Sequence, residues 1–159
     1  MNPILRHLLL LRQSKIIVPY YTEGVENVAW VEGYTRDGGI YDYSKAGNRL
    51  YIKAEFDVNA AEGTWVTDAQ VDLSIIKTLY IDWQSEGVSP LVHLNASSSK
   101  TGRYFTFNAQ VSQSGVAGRH IASLDVSSLS GLYYLRVHSS AIIEDRISIL
   151  SVYRLWGEA

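Results

Sequence analysis

The chain of 159 residues is 47% hydrophobic and 19% charged, a composition typical of one folded domain and unlike that of a disordered protein. Fourteen Lys and Arg residues against sixteen Asp and Glu residues give a formal net charge of −2, so no basic excess indicates a nucleic acid partner. Cysteine is absent, which excludes disulfides, thiol catalysis and cysteine-ligated zinc.

The first sixteen residues form an apolar segment that differs from the rest of the chain. Its apolar side chains recur near helical spacing, which predicts a short helix over residues 3–13. The residues concerned are Ile4, Leu5, Leu8, Leu9 and Leu11. Because one helix stripe cannot bury them all, we interpret residues 1–16 as an arm that docks on another subunit or on a particle; a helix that caps its own domain is the alternative. The segment matches neither a membrane span nor a secretory signal, so we predict no membrane partner.

Residues 17–159 carry the pattern of an all-β domain, with short runs of strand-forming residues between turn residues. A first strand over residues 15–18 is predicted to end at Pro19. Further strands follow at 27–33, 39–43, 49–56, 78–84, 103–112, 132–138 and 146–156. The last of them is long enough to require a bulge or bend. This succession predicts a two-sheet, mainly antiparallel β-sandwich.

Alternation with a period of two assigns one side of each predicted strand to the core. In the strand at 49–56, for example, Leu50 and Ile52 face inward, whereas Tyr51 and Lys53 face outward. The core predicted in this way consists of Leu50, Ile52, Phe56, Leu79, Ile81, Trp83, Phe105, Phe107, Tyr133, Leu135 and Val137.

Two segments repeat the order Asp, apolar residue, Ser shortly before a strand. They are Asp72-Leu73-Ser74 and Asp125-Val126-Ser127. Asp and Ser side chains bind backbone amides in turns, so the two segments are predicted to form equivalent corners of the sandwich. In each corner the apolar residue is expected to fill the core.

The second corner and the strand after it, residues 124–138, resemble an element of galactose-binding-like jelly-roll domains. A wider resemblance, to small proteins encoded by phages and prophages of Bacillus-like bacteria, covers about residues 20–157. It rests on the combination of the runs at 21–24, 30–34, 79–83, 98–102, 107–109 and 152–156. The resemblance implies a jelly-roll fold and a virion structural or adhesion component, and it supplies no catalytic residues.

Candidate binding residues lie at outward positions, where planar aromatic rings mix with hydrogen-bonding side chains. This mixture suits sugars, because rings stack on the apolar side of a pyranose and polar side chains bind its hydroxyls. A subunit interface or an ordinary solvated sheet surface produces the same mixture. The candidate glycan-binding residues are Tyr80, Asp82, Tyr104, Asn108, Tyr134, Arg136 and Trp65, the last interpreted as a loop residue.

Nothing in the sequence has the pattern of an enzyme. Nucleotide-binding glycine motifs and a nucleophile elbow are missing. The four histidines, His7, His93, His120 and His138, lack the spacing of a helical metal site. We therefore predict a protein without catalytic activity, cofactor or metal.

Two functions remain open. The first is a non-enzymatic bacteriophage virion protein, a capsid (head) decoration or a tail or fibre component, located in the virion after assembly in the host cytoplasm. It would contact other virion proteins and host cell-wall polysaccharide, and particle symmetry favours a homo-oligomer, preferably a trimer. The alternative is a stand-alone carbohydrate-binding module associated with a cell-wall hydrolase. Single glycan sites are expected to bind with a Kd of about 1 mM, and multivalency would supply tight adhesion.

Overall fold

The computed structural model describes residues 15–36, 38–57, 60–88, 90–103, 105–114, 117–141 and 146–159. These ranges form β-strands and no helix, and the strands build two antiparallel sheets, which confirms the predicted all-β sandwich. They accordingly contain no helical segment that could cross a bilayer. The predicted N-terminal helix and its docking residues, Ile4, Leu5, Leu8, Leu9 and Leu11, lie outside the described residues.

The strands are named here in chain order. They are β1 (Ile17–Thr22), β2 (Val25–Glu26), β3 (Trp30–Thr35), β4 (Gly39–Ser44), β5 (Leu50–Phe56), β6 (Ala61–Thr67), β7 (Val71–Asp72), β8 (Thr78–Glu86), β9 (Leu91–Ser97), β10 (Ala109–Ser114), β11 (Gly118–Asp125), β12 (Leu132–Ala141) and β13 (Ile147–Glu158).

The first sheet is organised around β13. On one side β13 pairs with β8, which pairs in turn with the edge strand β11. On the other side, residues 147–152 of β13 pair with β5 and residues 154–158 pair with β1. Beyond these lie β4 and β2. The pairing of β13 shifts between Val152 and Arg154, so the bulge predicted for the closing strand is present at Tyr153.

The second sheet has the strand order β10-β9-β12-β6-β3, and β7 pairs with the beginning of β12. Large apolar side chains of both sheets meet between them. Of the predicted core, Leu50, Ile52, Leu79, Ile81, Trp83, Leu135 and Val137 are fully buried. Tyr133 is partly buried against this core, and Phe56 packs on a small second cluster with Ala54, Ala61 and Ala141.

The prediction that Phe105 and Phe107 are core residues is wrong. Phe105 is 54% exposed and Phe107 is 44% exposed, because the predicted strand at 103–112 begins only at Ala109. The carbonyl oxygens of Thr101, Arg103 and Thr106 accept hydrogen bonds from the side chain of Arg136. Since these acceptors are bound by a guanidinium, they do not pair with a neighbouring strand.

The prediction that β1 ends at Pro19 is also wrong, because the strand continues to Thr22. Proline is tolerated where its missing N–H is not required by a neighbouring strand. At Pro19 the strand pairs only with β13, since β2 pairs with Tyr21 and Thr22 alone.

The two repeated segments form the equivalent corners that the sequence predicts. The Asp72 and Asp125 carboxylates each accept a hydrogen bond of 2.9 Å from the backbone N–H two residues later, on Ser74 and Ser127. Hydrogen bonds from the side chains of these serines, and then from their backbone N–H groups, lower the pKa of both carboxyl groups. The apolar residue of each corner, Leu73 or Val126, is completely buried.

Candidate functional site

The outer face of the first sheet carries a pair of stacked aromatic rings. Tyr80 on β8 and Trp156 on β13 are direct partners across the ladder, and their rings lie 5.3 Å apart at an angle of 13°. The Glu158 carboxylate, on the same face of β13, accepts hydrogen bonds from Lys15, Trp156 and Tyr80, which lower its pKa. One carboxylate therefore fixes both rings at their polar edges.

Arg154, the preceding outward residue of β13, lies close to the Trp156 ring. Its guanidinium lies 5.0 Å from the centre of the Trp156 ring, within the range of a cation–π interaction. On the Tyr80 side, the residue directly opposite on β11 is Ser123, which is small and exposed. The Tyr80 ring face that is turned away from Trp156 thus has no bulky partner on the neighbouring strand.

A second group of polar and aromatic side chains lies beside the stacked pair. Arg119 on β11 binds both carboxylate oxygens of Asp82 on β8, at 3.0 and 2.8 Å, and this contact raises the pKa of Arg119. The same guanidinium lies 4.0 Å from the centre of the Tyr153 ring. The Tyr153 hydroxyl donates to Gln84 at 3.1 Å.

We call this surface the open face. It comprises the outward side chains of β8, β11 and β13 and the ends that flank them, namely Lys15, Tyr80, Asp82, Gln84, Arg119, Ile121, Ser123, Tyr153, Arg154, Trp156 and Glu158. Arg119 keeps 49% of its side chain exposed, and Arg154 and Ser123 are exposed, so solvent reaches the groups around the rings. Aromatic surface beside fixed polar groups is the composition of a small-molecule or sugar site.

The outer face of the second sheet differs, because its polar residues are buried. We call this surface the covered face: Glu62 and Thr64 on β6, Asn95 and His93 on β9, and Arg136 and His138 on β12. All are at least 98% buried. The connection between β9 and β10, called the loop 98–108 and described at residues 98–103 and 105–108, contacts this face.

Arg136 attaches the loop to the sheet. Its two terminal nitrogens donate to four loop carbonyl oxygens, those of Ser99 and Thr101 at 3.3 and 3.0 Å and those of Arg103 and Thr106 at 2.9 and 2.7 Å. Burial lowers the pKa of this guanidinium, and the carboxylate of Glu62 opposes the effect. These terminal donors of Arg136 are therefore occupied by the protein itself.

Glu62 and His138 lie beneath the same loop. Oε1 of Glu62 is 3.3 Å from Nδ1 of His138, and Oε2 is 3.5 Å from Nε of Arg103. Asn95 donates to Nε2 of His138 at 3.2 Å, so the neutral ring carries its proton on Nδ1, directed at Thr64 and Glu62. Burial lowers the pKa of His138 well below its ordinary value, and Arg136 lowers it further. Burial also lowers the pKa of His93, to about 3.

The candidate residues predicted from the sequence do not form one site. Tyr80 and Asp82 lie on the open face, whereas Arg136 lies on the covered face. Tyr134, also on β12, has the same outward parity as Arg136 and is half-buried. Tyr104 lies outside the described residues.

Trp65 and Asn108 have structural roles. The prediction of a loop position for Trp65 is wrong, because Trp65 lies within β6, is 4% exposed and faces the core. Its indole N–H donates to the Tyr51 carbonyl of the opposite sheet at 2.9 Å, and its ring meets the Tyr43 ring edge-on. Asn108 closes the base of the loop 98–108 by accepting a hydrogen bond from the Ser98 N–H at 2.8 Å.

Sequence reasoning missed Arg119, Tyr153, Arg154, Trp156 and Glu158. Four of them belong to the long closing strand, whose bulge the sequence predicts without its position. Because a bulge changes the inward and outward parity of every residue after it, the faces of Arg154 and Trp156 could not be assigned. The two aromatic residues near the end of that strand, Tyr153 and Trp156, were the sequence signal that could have indicated a binding surface there.

No cluster of histidine and acidic residues suited to a metal ion occurs among the described residues. The carboxylates of Asp82 and Glu55 are each bound to a cation, Arg119 at 2.8 Å and Lys53 at 2.6 Å. The arrangement is suited to holding a ligand by stacking and hydrogen bonds.

No protein-family model matches the chain, and no curated protein matches its sequence. Solved structures do match. A family 11 carbohydrate-binding module from Clostridium thermocellum, in complex with a β-1,3-1,4-mixed-linked tetrasaccharide, has a TM-score of 0.58 at 11% identity over 89% of this chain and 94% of the module. A family 29 carbohydrate-binding module has a TM-score of 0.56 at 14% identity over 91% and 88%. A mutant of a family 29 module complexed with cellulohexaose has a TM-score of 0.55 at 14% identity over 91% of each chain. At such identities the likeness establishes the fold: the chain has the β-sandwich fold of these carbohydrate-binding modules.

Proposed function

We propose that this protein is a non-catalytic polysaccharide-binding domain and that the open face is its binding surface. The observation that carries the proposal is the stacked pair of Tyr80 and Trp156, held by Glu158 on the solvent side of the first sheet. Rigid aromatic surface with fixed polar groups beside it binds the apolar side of a pyranose with little entropic cost. The fold shared with carbohydrate-binding modules supports the same function.

The contact position for a sugar ring is the free face of Tyr80, above Ser123. Trp156 occupies the other face of Tyr80, and Arg154 lies over Trp156. Ser123 leaves room on β11, and Asp82, which forms an ion pair with Arg119, is the next outward residue of β8, two ladder positions from Tyr80. A sugar stacked there can exchange hydrogen bonds with both members of that pair.

The covered face does not offer an equivalent surface. The terminal donors of Arg136 are used by the loop 98–108, and the side chains of Asn95 and His138 bind each other. A sugar would have to replace these internal hydrogen bonds, which costs more than filling an accessible surface.

The test is binding of soluble polysaccharides, a mixed-linkage β-glucan and a bacterial cell-wall polysaccharide, measured by affinity electrophoresis and calorimetry. We expect Tyr80→Ala and Ser123→Phe to abolish retention, the second because its ring fills the position above Ser123 without removing any contact residue. Tyr134→Ala is the matched control on the other sheet and should bind as the wild type does. Retention that survives both open-face variants, or no retention of the wild type by any polysaccharide, would contradict the proposal.

A separate proposal is that the protein binds glycans as a component of a virus particle. The sequence resemblance to phage-encoded proteins supports this proposal. It requires several copies on one particle, which would raise weak single-site affinity through multivalency. Light scattering coupled to size-exclusion chromatography tests it on the full chain and on a variant that lacks residues 1–14. An oligomer, preferably a trimer, that dissociates on deletion supports the proposal, and a monomeric full-length chain contradicts it.

A further inference from the structure

The cations around the stacked pair differ in their partners. Lys15 binds Glu158 at 2.7 Å, and Arg119 binds Asp82 at 2.8 Å. Arg154 is exposed and rests on the Trp156 ring, but it forms no ion pair with any residue that the structure describes. Its guanidinium is thus positioned by an aromatic surface and not by a carboxylate.

Two of the carboxylates near Arg154 along the sheet are already engaged. Asp82 is the direct ladder partner of Arg154, yet both of its oxygens bind Arg119 on the opposite side. Glu158, two residues further along β13, accepts hydrogen bonds from Lys15 and from both stacked rings. Glu23 acts electrostatically on Arg119 and forms no ion pair within the described ranges.

The Arg154 guanidinium lies 5.0 Å from the centre of the Trp156 ring, and its N–H groups lie in one plane because the group is planar. That geometry matches the two oxygens of a carboxylate, which accept two parallel hydrogen bonds from arginine. We propose that Arg154 makes the open face selective for acidic polysaccharides and binds the carboxylate of a uronic acid unit; the inference rests on the glycan-binding function proposed above.

The spacing of the site requires a polymer and not a single sugar. Ser123 lies on β11 and Arg154 on β13, so the stacking position and the guanidinium are separated by two strand spacings, about 10 Å. A chain that crosses β8 can stack on Tyr80 and place the carboxylate of a later unit at Arg154.

The test compares polygalacturonate with the same polymer after methyl esterification, which removes the negative charge and keeps the sugar backbone. By calorimetry at low salt, we expect the wild type to bind the acidic form at least about tenfold more tightly, since a hydrogen bond to a charged group contributes about that factor. Arg154→Gln should bind both forms equally. Arg36→Gln, which removes an arginine outside the open face, should keep the preference.

Other outcomes separate this inference from the proposed function. Equal binding of the two forms by the wild type, or a preference that survives in Arg154→Gln, overturns the role of Arg154. Tighter binding of a phosphate-bearing teichoic acid than of polygalacturonate overturns the assignment to carboxylates. In each of these cases, binding of mixed-linkage β-glucan that Ser123→Phe abolishes would leave the proposed function intact.

Discussion

The outer faces of the two sheets are built from the same kinds of residue, yet their polar groups have different partners. On the open face, Arg119 pairs with Asp82 at the surface, and aromatic rings stand beside them. On the covered face, Arg136 binds four carbonyl oxygens of a loop. The difference shows that an outward position on a strand does not determine exposure, because a loop can use outward polar groups as its own anchor. Ligand binding is expected on the first face, and stability is expected to depend on the second.

The largest effect should come from Arg136→Met. The substitution leaves loop carbonyl oxygens without donors and removes the charge near Glu62, which should cost about 3–5 kcal/mol of unfolding free energy. Urea denaturation measures it. The matched control is Arg154→Met on the open face, which should change stability by less than about 1 kcal/mol. Equal losses of unfolding free energy in the two variants would show that stability does not depend more on the covered face than on the open face.

The second effect is a loss of stability on acidification, which should originate on the covered face. Because the pKa of His93 falls to about 3 in the folded protein, the unfolded chain binds more protons below its ordinary value of 6.5. The contribution of His93 to the free energy of unfolding is therefore complete above about pH 6.5. It is lost as the pH falls toward 3, at up to about 1.4 kcal/mol per pH unit.

The measurement is the urea midpoint at pH 7, 6 and 5, in a window above the titration of most carboxylates. His93→Gln should reduce the slope of stability against pH. A variant as acid-sensitive as the wild type would show that the sensitivity originates elsewhere.

The third effect concerns binding and should appear on the open face alone. Trp156→Ala removes the partner that holds Tyr80 upright and should weaken polysaccharide binding by about tenfold, the range of one aromatic contact. The variant should keep its fold, and an unchanged circular dichroism spectrum would check this. Unaltered affinity would show that Tyr80 does not need the stack.

The smallest effect is expected for Phe107→Ala on the loop 98–108. Truncating a buried phenylalanine costs about 3–5 kcal/mol, but Phe107 is 44% exposed, so the loss should stay below about 1 kcal/mol. Thermal unfolding followed by circular dichroism provides the comparison. A loss of stability as large as that of a buried phenylalanine would mean that this side chain packs against the sandwich in solution.

Strands with one apolar side could be predicted from the sequence, whereas the fully buried strands β6 and β9 could not. Residues 50–56 and 78–84 show alternation because their outward side chains are polar and their inward ones apolar. In β6 and β9 every residue is buried, and polar residues such as Glu62 and Asn95 are stabilised by partners distant in sequence. No local pattern marks such strands, so both were missed.

The candidate site was predictable only in part for a similar reason. Tyr80 and Asp82 follow from simple parity along β8. Trp156 and Arg154 lie on the same face as Tyr80 only because of the bulge at Tyr153. The terminal donors of Arg136 are used only because a loop covers that residue. These are contacts between segments far apart in the chain, which a reading of single strands does not contain.

The pairing of β1 with β13 has a mechanical consequence. These strands run antiparallel, and residues 15–16 lie beside residues 158–159 through the Lys15–Glu158 ion pair and the hydrogen bond from the Ala159 N–H to the Ile16 carbonyl. A force that pulls these two ends apart would open the ladder one hydrogen bond after another, like a zipper, and meet little resistance at each step. A force between one end and a ligand on the open face would instead load many bonds of the sheet together. A domain of this geometry therefore withstands drag best when a single end bears the load.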